Sequence, residues 1–338
     1  MIGKTKYNIF IMLFLTAWVW TGTTHAQQEP HFTQYMFNRL SYNPGYAGSN
    51  GAICITGFYR NQWLGLDLVD YTGQSTGASS GETMNISFDM PVKFLHGGLG
   101  ATVISDKIGY YDNTYAKIDY AFRIQLPTGN LAIGLEGQLF NSSLDFSKLY
   151  GSDDIPVDDG PISGSKDPLI QGKAEEKDML FDLGLGIYYQ VPGKVYLGFA
   201  ASKLMETKSE TMMWNNRRFY YVLAGYEWTV PDYPSWRLMP SALLKTDFKS
   251  SSSYQLDASL LVEYEHKVWG GVSYRVDDAI MVLTGMTFKD FKVGLSYDIP
   301  TSRISTKASG SLEVFLRWCF KIESSPNPPT IYRNTIRM

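Results

Sequence analysis

In "AKIDYAFRIQL", residues 116–126, polar and apolar side chains alternate without a break. Ala116, Ile118, Tyr120, Phe122, Ile124 and Leu126 fall on one row, and Lys117, Asp119, Ala121, Arg123 and Gln125 on the other. Only a β-strand keeps two such rows apart, because its successive side chains point to opposite faces. "LEVFLRWCFKI", residues 312–322, repeats the pattern: Leu312, Val314, Leu316, Trp318, Phe320 and Ile322 oppose Glu313, Phe315, Arg317, Cys319 and Lys321. Similar runs begin near Ala52, Thr83, Gly98, Tyr115, Asn130, Leu180, Val195, Phe219, Trp236, Tyr254, Val268, Ala279, Phe291 and Ser311, which predicts about fourteen strands. Most are roughly nine to twelve residues, the length a tilted strand needs to cross a bilayer.

The connections sharpen the prediction. Short ones, "PVKFLH", "PTG", "PGK", "PDYPS", "EHK" and "KD", are rich in turn formers. Between them fall longer ones at 64–82, 106–114, 145–178, 203–217, 247–253 and 300–310, with "VDD" at 277 short where a long one is due. Outer-membrane barrels divide their periplasmic and outer ends in this way. A soluble β-sandwich also alternates. Strand length, loop alternation and aromatics near strand ends (Trp63, Tyr120, Tyr189, Trp228, Tyr264, Trp318) favour an all-β transmembrane antiparallel barrel. Its apolar row then faces the bilayer and lipopolysaccharide. Its charged row, including Arg60, Arg123, Glu136, Arg275, Glu313 and Arg317, faces the lumen, which is either water-filled or packed with paired charges around a plug.

Four units follow. Lys4 and Lys6, the apolar run Ile9 to Trp20 and the small residue Ala26 predict a signal peptide over 1–26, cleaved near Ala26. Residues 27–50 form an N-terminal plug or docking segment, 51–322 the barrel and 323–338 a C-terminal tail. The stretch "HFTQYMFNRLSYNPGYAGSN" keeps neither regular period and is rich in aromatic and turn residues. Phe32, Tyr35, Phe37, Tyr42 and Tyr46 supply contact area, while Asn38, Asn43 and Pro44 supply turns, so the segment is suited to fold into the barrel mouth.

Catalytic and ligand motifs are weak. "GQSTG" matches a nucleophile elbow around Ser75, but "ASSGETMN" after it is no helix. His31, His96 and His266 lack zinc-ligand spacing and read as solvated turn residues. "SDDIPVDDG" departs from the spacing of a calcium loop. The expectation is a chain without enzyme activity, metal or cofactor. A net charge of -3 also argues against nucleic acid as a partner. Two cysteines make no disulfide framework. Cys54 and Cys319 fall on the first and last strands, which closure makes neighbours, with their register open.

"PHFTQYMFNRLSYNPGYAGSNGAI" and the following "YRNQWLGLD" resemble the start of the PorP/SprF family of the type IX secretion system. The resemblance continues through "YAFRI", "LAIGLEGQ", "MPSALLKTD", "VWGGVSYRVDDAI", "GLSYDI" and "GSLEVFLRW". It implies an outer-membrane barrel without catalysis, serving export or surface attachment of a large adhesin-like protein in Bacteroidota-type bacteria. The implied partner is a secreted protein carrying a type IX C-terminal domain. Periplasmic secretion-ring proteins or lipoproteins are the partners if the barrel instead anchors the machinery, and a small-molecule diffusion channel is the further alternative. Tyr71, Tyr150, Met212, Met213 and Trp214 in the long loops are the candidate anchors for a surface partner.

Overall fold

A computed structural model describes residues 29–68, 78–145, 175–209, 216–249 and 253–320. The signal region, the C-terminal tail, the Ser75 motif, the acidic run after Gly151 and all five loop anchors lie outside the described residues. Fifteen strands make one sheet. They are β1 (Ile53–Leu64), β2 (Ser79–Val92), β3 (Gly97–Gly109), β4 (Tyr111–Leu126), β5 (Gly129–Asp145), β6 (Glu175–Val191), β7 (Val195–Ser202) and β8 (Phe219–Tyr226), followed by β9 (Trp228–Val230), β10 (Tyr233–Thr246), β11 (Tyr254–Tyr264), β12 (Val268–Arg275), β13 (Ala279–Phe288), β14 (Phe291–Pro300) and β15 (Gly310–Phe320). Every strand pairs antiparallel with its neighbours, and β15 returns to β1. The three-residue β9 continues β8 beyond Glu227 along the same partner, β10, so the wall is a closed barrel of fourteen strands.

Closure follows from the alternating rows. At the seam Cys54 faces Cys319 and Arg60 faces Glu313 in register, which keeps one row of each strand toward the outer surface and the other, charged and aromatic, toward the lumen. On the outer surface stand residues such as Ile118, 70% exposed, and Ile86, as a lipid-facing strand requires. Among the described residues, no helix is long and apolar enough to cross a membrane. Cross-strand aromatic pairs, Trp236 with Tyr264 and Phe291 with Trp318, mark the short-turn end at the depth of the headgroups. By the rule of short inner turns, this end is periplasmic.

Three local expectations are corrected. Residues 106–114 are not a loop. β3 and β4 stay paired as far as Ile108 and Tyr111, and the chain reverses at Gly109 and Tyr110, where Gly109 takes a φ of 60°. β4, β5 and β6 reach 16, 17 and 17 residues, longer than a bilayer needs, so their outer ends stand clear of the apolar layer. The long first and third loops are correspondingly shorter, with β2 starting at Ser79 and β6 at Glu175. Cys54 and Cys319 are level, and a disulfide joins them, with Cα atoms 4.1 Å apart.

Candidate functional site

The lumen is occupied by the chain's own residues 29–51. Their polar and aromatic composition suits a barrel interior, and from His31 to Ser49 nearly every residue is buried. Three single 3-10 turns, Tyr35–Phe37, Arg39–Ser41 and Pro44–Tyr46, fold the segment compactly. Asn43 caps the third by accepting a hydrogen bond from the Gly45 amide at 2.8 Å, with Pro44 in the first helical position.

The segment runs from the outer mouth down to the periplasmic rim, and each level has its own anchor. At the top the Glu29 carboxylate lies 3.2 Å from the buried Lys203 ammonium and accepts from the Tyr221 hydroxyl. Below it, Arg60 donates to Thr33 Oγ1 at 2.6 Å and to Asp298 at 2.8 Å, while Glu313 accepts from the Thr33 and Gln34 amides, both at 2.8 Å. The Tyr35 hydroxyl meets Ser241 Oγ at 3.1 Å. Phe37 stacks on Phe315 and tilts against Trp269; its carbonyl accepts from Arg317, and the Lys292 ammonium sits 4.7 Å above its ring. Farther down, the Arg39 guanidinium lies over the Tyr196 ring at 3.7 Å and donates to Tyr188 at 3.1 Å. The chain then climbs back to the level of Phe32, whose amide donates to the Tyr42 hydroxyl at 3.2 Å while the Tyr42 ring packs on Tyr221, and it descends again so that Tyr46 meets Tyr188 edge to face. Lys117, paired with Glu136 at 3.3 Å, donates to the Ser41 carbonyl. Ser41 Oγ in turn donates to Asn38 at 2.8 Å. At the bottom Arg123 donates to the carbonyls of Ala47 (2.8 Å) and Gly48 (2.9 Å) and to Ser49 Oγ (3.1 Å).

The wall is shaped for this occupant. A β-carbon added at Gly134 would stand 2.2 Å from the Gly45 amide nitrogen, and one at Gly186 would stand 2.2 Å from Asn43 Oδ1. Gly134 therefore allows close approach of the segment's backbone, and Gly186 makes room for the Asn43 and Pro44 side chains. Asn43 spans the groove they leave, donating to the Ile187 carbonyl at 3.0 Å.

The eight plug residues read from the sequence thus lie together inside the barrel. Of the six lumen charges, Arg60, Arg123, Glu313 and Arg317 hold the segment directly, Glu136 does so through Lys117, and Arg275 does so through Asp298, which accepts from Thr33. Arg275 also pairs with Asp257, at 3.0 Å, beside His31. His31 is corrected: it is 4% exposed rather than a solvated turn residue, because it enters the lumen with the segment. His266, by contrast, is solvated on a periplasmic turn. Sequence reasoning missed Glu29, Thr33, Gln34 and Arg39. Only Arg39 carried a signal, as a lone cation among aromatics.

Above Glu29 and His31 the outer mouth holds a cavity of about 900 Å³. Its floor is the top of the segment, and its walls are the outer ends of β1, β3, β4 and β11 to β15. Among the described residues no group of His, Cys, Asp and Glu side chains is arranged to hold a metal.

A family model described as "Type IX secretion system membrane protein PorP/SprF" matches residues 24–318. No curated protein matches the sequence. Among solved structures, the Acinetobacter baumannii outer membrane protein Omp33 is 8% identical, with 80% of this chain and 98% of that one covered at a TM-score of 0.45. The P. putida toluene transporter TodX is 10% identical, with coverage of 84% and 94% and a TM-score of 0.47. The CymD monoaromatic hydrocarbon channel is 11% identical, covered 87% and 94%, with a TM-score of 0.46.

Proposed function

The chain belongs to the PorP/SprF family of type IX secretion system membrane proteins, and from that premise we propose that it holds one large secreted protein at the cell surface by that protein's C-terminal domain. The observation that carries this reading is the filled lumen. A barrel whose interior is closed by its own residues 29–51, anchored at every level, is suited to be a platform rather than a conduit. That weighs against the diffusion channel. The partner would dock on the outer mouth and the loops around it, with Tyr71, Tyr150, Met212, Met213 and Trp214 as aromatic and apolar anchors.

One feature favours attachment to the periplasmic machinery as a second reading. The β9–β10 hairpin runs past the headgroup level marked by Trp236 and exposes Tyr233 at its tip. The two readings separate in a deletion strain. Surface attachment predicts that secretion in general continues while one large adhesin-like protein disappears from the surface proteome. If no surface protein is lost and only periplasmic ring proteins co-purify with the tagged barrel, the machinery role replaces attachment.

A further inference from the structure

The outer cavity has a charge pattern of its own. Its two arginines are committed inward, Arg60 to Asp298 and Glu313 and Arg275 to Asp257. Three carboxylates remain around the opening. Asp106 accepts from the neutral Thr83 hydroxyl at 2.6 Å. Asp277 has no cation within ion-pair distance among the described residues, and the 40%-exposed Asp278 is only 3.4 Å from the already engaged Arg275. Trp63 and Tyr111 line the same space. Carboxylates beside aromatic faces suit an ammonium or guanidinium, which gains both ion pairing and cation–π attraction.

The floor supplies an independent observation. His31 lines the cavity and is buried, yet neither ring nitrogen has a hydrogen-bond partner. Its Nε2 stands 3.7 Å from Asp257, beyond hydrogen-bond reach. A buried imidazole left unbonded carries a desolvation cost that an incoming polar group relieves. At about 900 Å³ the space lies within the range of binding pockets, roughly 300–1,000 Å³.

We infer that this mouth is a receptor for a basic peptide segment of the secreted partner, a Lys or Arg side chain entering beside Asp277 and Asp278 while a backbone or side-chain polar group reaches His31. The inference rests on the surface-attachment reading and names the chemistry by which attachment is selective.

The test uses the full-length barrel in detergent with two end-capped hexapeptides, alternating Arg-Gly and alternating Glu-Gly, titrated by calorimetry. The Arg peptide binds saturably and more weakly as salt rises, and the Glu peptide does not bind. Asp277→Asn with Asp278→Asn weakens the Arg peptide at least tenfold. Both positions are on a surface turn, and unchanged heat-modifiable migration on gels shows that the variant is folded. No saturable binding of the Arg peptide, or equal binding to the variant, overturns the inference. So does binding that appears only once residues ahead of Glu29 are removed, because the chain's own start then fills the cavity. In cells, the deletion strain complemented with the double variant loses the surface protein that the wild-type gene restores. If the variant restores it equally, the basic-segment inference fails and surface attachment stands. If the deletion removes no surface protein, attachment itself fails, whatever the peptides do.

Discussion

At the scale of single residues, the lumen charges behave as paired anchors. Arg60, Thr33, Asp298 and Glu313 form one buried unit in which each carboxylate accepts from the segment as well as from the arginine. Removing one member leaves a buried charge without its partner, which costs on the order of 3–5 kcal/mol. Arg60→Met is therefore expected to lower the temperature at which the barrel loses its fast, folded migration on gels. Lys107→Ala, whose pair with Asp112 is half exposed on the outer hairpin, is expected to leave that temperature within experimental error. Gly134→Val tests the wall in a different way. Its added β-carbon collides with the Gly45 backbone, so the segment must shift at an overpacking cost of roughly 1–3 kcal/mol while the strands stay paired. The readout is greater protease sensitivity within residues 29–51 with an unaltered β-type circular dichroism spectrum.

At the scale of elements, the segment explains the closed lumen, and planar-bilayer recording checks it directly. The intact barrel is expected to conduct little, and a variant lacking residues 27–50 to conduct steadily. A large conductance from the intact protein would sink the platform reading. The strands themselves were legible because lipid on one side and polar contacts on the other impose a strict period of two. Legibility failed where that pressure ends. Ser105, Asp106 and Lys107 stand beyond the bilayer, lose the alternation and look like a loop, although β3 and β4 remain paired there. The aromatic and turn content of 31–50 indicated a compact segment. Its direction and its anchors were not readable, because they depend on contacts such as Thr33 with Glu313, 280 positions apart. For the same reason His31 looked like any turn histidine until the lumen closed around it.

For the whole molecule, the seam is the one wall contact that no hairpin enforces, since β1 and β15 are the ends of the barrel sequence. The Cys54–Cys319 disulfide supplies a covalent link there, closing a loop of 265 positions. Chain entropy assigns such a link about 5.5 kcal/mol of stabilisation. Cys54→Ser with Cys319→Ser is expected to fold but to convert to the slow, unfolded gel species at a lower temperature. Boiled wild-type protein should migrate faster without reductant than with it, and identical mobility would show that the bond does not form. The downward course of residues 29–51 has a different consequence, for the order of assembly and for labelling. The chain enters the lumen from the top, and the wall that surrounds it is completed only by the last strand. The barrel is accordingly expected to be wrapped around this folded segment, as a cask is hooped around its contents, because threading afterwards would draw Glu29 up through a closed ring. An epitope tag placed directly ahead of Glu29 should accordingly be detected by antibody on intact cells.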